Sequence, residues 1–426
     1  MGSLSRTAGL WALLLALGCS VYDPSLIGSS SAGVPDRPPE NTSSPDDSAS
    51  LVFALKDIFI RQSAEMAARI GIDLDATVTT GRDDGTCEPR VVDGAVVGQA
   101  VVDGDMGIDN ALGASLLPSV SSALPCLEDN LALTQGRGTG TVILWVRHWN
   151  GMPNDASVTA MLTTATDGTN EDPSLVGFRG NDPVNLVYLS GGQGVEAPDP
   201  GWDNEDSWFL DPSDFNTDAS GAASLDLPKL QQVDGYVALG RLVVPLVAGT
   251  EFKLIAGDGT VSSDGAMTVV VNGGFIMGDI SEDQASLDHG LFAGRFSIDK
   301  LGEATPRIGM CDINASVIES LFGQFADIQQ SPDRDGIGAE CDAFGVGVTF
   351  NGVAGQIAGL AESSRPQLEP CATAGSVEID RCCPSSWLSG RTRADTCNTE
   401  EKLTKAARFD ALPSTVQIPV PAPELF

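Results

Sequence analysis

Oxygen donors dominate the chemistry this chain offers. The stretch DGDMGIDN sets Asp103, Asp105 and Asp109 at loop spacing, and DRDGIGAECD sets Asp333, Asp335, Glu340 and Asp342 in the same way. Hard divalent cations collect about six to eight oxygens from closely spaced carboxylates and loop carbonyls. Calcium is therefore the candidate cofactor, with Asp103, Asp105, Asp109, Asp333 and Asp335 as candidate ligands. Neither stretch completes an EF-hand, because Ile337 stands two after Asp335 and no acid falls at the twelfth position of either loop. The plainer and preferred reading makes these carboxylates Asx turns, with Asp109 capping the helix it precedes.

A second group lies in PDPGWDNEDSWFLDPSDFNTD, residues 198–218, where Trp202 and Trp208 flank Asp203 and Asp206. An aromatic face stacks on the C–H patches of a sugar while carboxylates accept its hydroxyls, so these four are the candidate polysaccharide-binding residues. Large aromatics are more often buried, and the preferred reading has the two tryptophans pinning a long loop to a core.

Other chemistries are poorly supplied. With only two histidines, His148 and His289, and no G-x-S-x-G elbow, a nucleophilic triad is poorly supplied, and the clustered histidines of a metal-hydrolase site are missing. His148 shares strand parity with Val142, Leu144 and Val146 and is expected at the end of a core face, while His289 reads as a turn. LSGGQ, residues 189–193, spells the signature motif of ABC-transporter ATPases, yet no Gly-Lys dipeptide exists to build a phosphate loop. GRGTG, residues 136–140, opens a strand instead of following one. Fifty-eight acidic against 24 basic residues give a net charge of -34, which repels nucleic acid and anionic lipid alike.

Nine cysteines leave an even eight, once Cys19 is set aside: Cys87, Cys126, Cys311, Cys341, Cys371, Cys382, Cys383 and Cys397. In an exported chain these imply four disulfides. The isolated first two suggest Cys87 with Cys126, and adjacent Cys382 and Cys383 must take different partners because a bridge between neighbours is strained. The remaining six have no unique pairing. A zinc cluster is disfavoured, since the last four lack C-x2-C spacing and a nearby histidine.

The elements that must position these groups are mostly strands. LVFALKDIFI (51–60), IDLDATVT (72–79), TVILWVRHW (141–149), SVTAMLTTAT (157–166), RLVVPLV (241–247), and AMTVVV with GFIMGDI (266–280) are short β-rich runs between Gly, Asn, Asp and Pro loops. The expected fold is mainly β with inserted helices: an antiparallel, jelly-roll-like β-sandwich over 51–300. Helical spacing marks 109–124 and 127–133. Residues 311–328 carry Ile313, Val317, Leu321 and Phe325 on one helical face, and a strand at 342–350 and a cysteine-rich tail follow, so 301–426 is either a separate region or the completion of the same core. A short helix capped by Asn398 precedes the end.

The N-terminus supplies an address. Arg6 precedes an uncharged run of roughly ten apolar residues that ends at Gly18-Cys19, too short to span a membrane. Leu15, Ala16, Leu17 and Gly18 before Cys19 resemble the lipobox of bacterial lipoproteins. That resemblance implies a signal peptide over 1–18, cleavage behind Gly18 and acylation of Cys19, hence an anchor in the outer membrane or at the surface of a Gram-negative cell. Residues 19–50, rich in Ser, Pro and Asp, read as a disordered tether. LVFALKDI, GIDNALG and CDAFGVGVTF are also similar to segments of large predicted lipoproteins of Gram-negative bacteria, which brings no catalytic residues. The expected function is a lipid-anchored binding or structural module whose partners are the membrane and an envelope polysaccharide or protein. The alternative is a carboxylate-based glycoside hydrolase or carbohydrate-binding protein on the same scaffold.

Overall fold

The computed structural model describes residues 34–44, 47–60, 62–81, 85–92, 94–96, 101–120, 138, 140–169, 176–178, 186–189, 194–196, 200–229, 232–256, 265–304, 322–336 and 338–361. Eleven strands join in one sheet: β1 (Ala49–Phe59), β2 (Val142–Trp149), β3 (Asp155–Thr169), β4 (Ser207–Leu210), β5 (Gln232–Ala238), β6 (Arg241–Leu246), β7 (Thr250–Ala256), β8 (Gly265–Ile280), β9 (Ser286–Ser297), β10 (Ala343–Ala354) and β11 (Gln356–Leu360). Three short helices accompany them among the described residues: α1 (Ala64–Ala67), α2 (Leu117–Val120) and α3 (Ile298–Ala304).

Eight strands pair antiparallel in the order β1, β2, β3, β5, β6, β8, β9, β10, and β10 returns to β1. This is a closed barrel whose staves follow chain order, not the expected jelly-roll sandwich with a C-terminal helix. The difference turns on one seam. Gly235 of β5 pairs with Val158 of β3, which joins the two ends of what would otherwise be open sheets. Alternating runs specify a buried face but not whether the sheet packs on a second sheet or on itself. The strand at 343–354 is the stave between β9 and β1, so the chain on both sides of residue 300 builds one core.

Every stave sends side chains into a single apolar cluster, including Phe53, Leu144, Val158, Val237, Val244, Ile276, Phe292 and Val346. A cluster shared by all eight staves of a closed barrel occupies the lumen, which is filled by side chains as expected for a barrel of this strand number. Outward positions such as Asp57, Asp288 and Asn351 are exposed and polar. This is the reverse of a membrane barrel, whose outer face is apolar and whose lumen is polar.

The outer wall is partly clothed. β4, β11 and the hairpin 215–228 cover β1 to β3, burying Ile143, Met161, Trp208 and Phe215 in a second cluster. Lys253 of β7 ties this covering down through 2.9 Å ion pairs to Asp211 and Asp214. Residues 34–44 fall within the expected tether, yet they lie against the barrel. Tyr236 donates to the carbonyl of Pro35 at 2.6 Å, Arg37 donates to that of Ala156 at 2.9 Å, and Ser43 donates to Asp155.

Two local expectations also change. His148 is exposed at φ +59°, because a bulge against β1 advances the strand by one residue and puts Trp149 in the core instead. Residues 72–79 form no strand. Of the expected helix at 311–328, Phe322 and Gly323 are helical, after which the chain turns through 324–325 to an isolated bridge between Ile328 and Ala343, and 311–321 lie outside the described residues. Also outside them are 1–33, Cys126, Cys311, Cys371, Cys382, Cys383, Cys397, the segment 127–133, the glycine pair of LSGGQ and the helix at Asn398.

Candidate functional site

The most unusual chemistry lies on the outer wall, where residues 62–81 and 101–116 form a flap over β9 and β10. Glycines make the approach possible. A Cβ on Gly347 would stand 2.2 Å from the carbonyl oxygen of Ile70, and one on Gly345 would stand 2.6 Å from the Cβ of Asp109. Buried Asn110 and Gln62 fasten the flap: the Asn110 amide donates to Gln62 and to the carbonyl of Ile70, both at 2.8 Å, and its oxygen accepts from Gly347 N–H at 3.0 Å. Gln62 donates to the carbonyl of Gly347 at 2.7 Å. Asn110 also accepts from Gly113 N–H at 3.1 Å and so caps the helical turn at 112–116, the role expected of Asp109.

Relieved of capping, Asp109 turns to the next loop. It is 1% exposed, and one of its oxygens accepts from Leu74 N–H at 2.6 Å. Asp73, Asp75 and Asp109 each place a carboxylate oxygen within 4.8 Å of the other two. Asp75 accepts from Thr77 N–H at 2.9 Å and from the Thr86 hydroxyl at 2.5 Å, and Ala76 between them sits at φ +58°. Asp103 accepts from Thr79 N–H at 2.5 Å, and Asp327 accepts from Gly345 N–H at 2.9 Å. Three carboxylate oxygens in this group, Asp73 Oδ1, Asp109 Oδ1 and Asp327 Oδ2, are buried without a hydrogen-bond partner.

The electrostatics follow from crowding. Burial, then the charges of Asp327 and Asp75, push the Asp109 carboxyl up to about 10. Burial, joined by the charges of Asp103 and Asp75 and opposed by the Gly345 N–H, pushes Asp327 up to about 8. Asp103 is pushed up to about 6, mainly by burial, with added repulsion from Asp75 and Asp73. Asp73 and Asp75 are raised as well, burial again leading. Beside them, fully buried Arg295 of β9 is committed elsewhere. It grips Asp335 in a two-pronged pair at 2.8 and 2.7 Å and donates to the carbonyls of Gln329 and Leu74.

Of the residues expected to bind calcium, Asp103 and Asp109 belong to this group. Asp105 does not; it is exposed, 3.5 Å from Arg69. Asp333 is exposed on a helical turn, and Asp335 is neutralised by Arg295. Glu340 is exposed, while Asp342 accepts from Gln330 N–H at 2.6 Å and so braces its own loop. The sequence reading missed Asp73, Asp75 and Asp327. The first two stand in the run expected as a strand, where the acids at alternate positions of IDLDAT were the available signal.

The remaining candidates are structural. Cys87 bonds to Cys341, not to Cys126, and this bridge with the paired backbones of Glu88 and Glu340 ties residues 85–88 to the loop before β10. Trp208 is fully buried, packed 5.2 Å from Trp202, and cannot stack on a sugar. Trp202 is half-buried, with the Lys56 ammonium 5.7 Å from its ring. Asp206, also buried, accepts from Gly201 and Trp202 N–H groups at 2.7 Å and shapes the loop; burial raises its carboxyl. Only Asp203 remains exposed. Three of the four nominated ligand residues, Trp202, Asp206 and Trp208, thus pin the loop to the barrel.

Neither a protein-family model, nor a curated protein, nor a solved structure matches the chain.

Proposed function

We propose that this chain is a lipid-anchored cell-envelope protein whose barrel works as a binding or structural module through its outer surface. The observation that carries the module reading is the filled lumen: all eight staves contribute to its apolar packing, so the barrel is built as a rigid body and not as a carrier of cargo. The anchor rests on the resemblance of residues 15–19 to a lipobox, with Cys19 as the acylated residue. A surface of strong negative charge directs the partner search to cations and neutral or basic envelope components, polysaccharide or protein, and away from nucleic acid.

The carboxylate-hydrolase alternative needs two acids flanking an open cleft. The acids that stand closest together here include Asp109, which is shut between the flap and the barrel wall. The deciding experiment is the intact mass of the full-length gene product extracted from Gram-negative membranes, alongside Cys19→Ala. A mass for residues 19–426 plus acyl chains, lost in the variant, supports the anchor. An unacylated chain in the membrane extract overturns it.

A further inference from the structure

We propose that Asp73, Asp75 and Asp109 hold a calcium-class divalent cation that clasps the two segments of the flap together where they lie on the barrel wall, with Asp103 and Asp327 adding charge from either side. Two independent observations point to it. The three carboxylates come from two separate loops yet converge to within 4.8 Å. Moreover, Asp109 is 1% exposed with Oδ1 lacking any partner, and Asp73 Oδ1 and Asp327 Oδ2 are bare in the same way. Buried polar atoms are almost always paired, and a carboxylate left bare in a dry site is costly. One cation in the cluster would give Asp73 and Asp109 a common partner.

The donor set fixes the class of ion. The three side chains of the cluster offer only oxygen, and among the described residues neither histidine nor cysteine joins them. Oxygen-only sites suit hard cations. Calcium lies about 2.3–2.6 Å from its ligands, so oxygens on opposite sides of it stand roughly 4.6–5.2 Å apart, whereas magnesium demands a tighter octahedron. Oxygens within 4.8 Å of one another leave room for the larger ion. Gly107 forms part of the rim at φ +87°, where a Cβ would come within 3.2 Å of Asp73 Oδ2. The site would weld residues 73–75 to residue 109 directly above Gly345, at the point where the flap meets β10. It does not depend on the anchor at Cys19.

The test uses the full chain, stripped with EDTA and titrated with CaCl2 by calorimetry, with Tm followed in parallel. The expected result is saturable binding of one ion per chain and a rise in Tm. Asp105→Asn should retain both, while Asp73→Asn and Asp109→Asn should weaken binding by more than about tenfold. Should Asp109→Asn fail to fold, Asp73→Asn, at a less buried position, carries the comparison. Absence of saturable binding, binding unaltered by both variants, or an equal response to MgCl2 would overturn the assignment.

Discussion

At the scale of single residues, the flap brings together carboxylates that repel one another. Without a divalent ion, native Asp109 and Asp327 keep their protons up to about pH 10 and 8, in company with Asp73, Asp75, Asp103 and the Arg295–Asp335 pair. Unfolded aspartates release theirs near about pH 4. Between these limits the native state binds more protons, so this contribution is full below about pH 4 and is lost as pH rises through the native values. In EDTA the urea midpoint should therefore fall from pH 5 to 7 to 9, and Asp109→Asn should flatten the decline; a midpoint that rises with pH would contradict this account. Arg295 poses the opposite case, a buried cation with every prong used. Arg295→Met strands the Asp335 carboxylate and two carbonyls, and should cost about 3–5 kcal/mol in urea unfolding, part of it recovered in Arg295→Met with Asp335→Leu.

At the scale of elements, residues 72–79 show why a strand pattern can mislead. The alternation is real: Ile72 is buried against the wall and Asp73 and Asp75 lie off it. The segment nevertheless lacks a ladder partner, because several of its backbone groups are taken by side chains and the carbonyls of Ile72 and Thr79 accept from Asp109 and Asp103 N–H outside any ladder. Leu74 N–H donates to Asp109 and the Leu74 carbonyl accepts from Arg295. The same flap depends on small residues in β10. Gly345→Ala puts a methyl 2.6 Å from the Cβ of Asp109, so the flap must lift or the stave must bend. The variant should lose about 1–3 kcal/mol and become susceptible to limited proteolysis within 62–116, where the parent chain resists cleavage.

For the whole molecule, closure is the central event. A chain ending at residue 304 keeps seven of the eight staves but lacks β10, leaving β1 and β9 as long open edges and exposing the lumen. It should show no cooperative thermal transition, unlike the full chain, and a sharp transition in that fragment would mean that residue 300 is a true domain boundary. The disulfide from Cys87 to Cys341 joins residues 254 apart, so it binds the segment 85–88 to the loop before the closing stave and not to its own neighbourhood.

The sequence by itself determined the β-rich class, the strands near 51–60, 141–149, 157–166 and 241–247, the burial of the tryptophan loop and two members of the acidic group. Those features are written in local alternation and composition, which act over a few residues. Only the tertiary structure decided that the sheet closes on itself, that Cys87 meets Cys341 and that Asp73, Asp75 and Asp327 join Asp103 and Asp109. Each of these rests on contacts between distant segments, set by how eight staves fill one lumen and by where glycines let a loop lie against the wall. Alternation along a strand cannot encode such pairings.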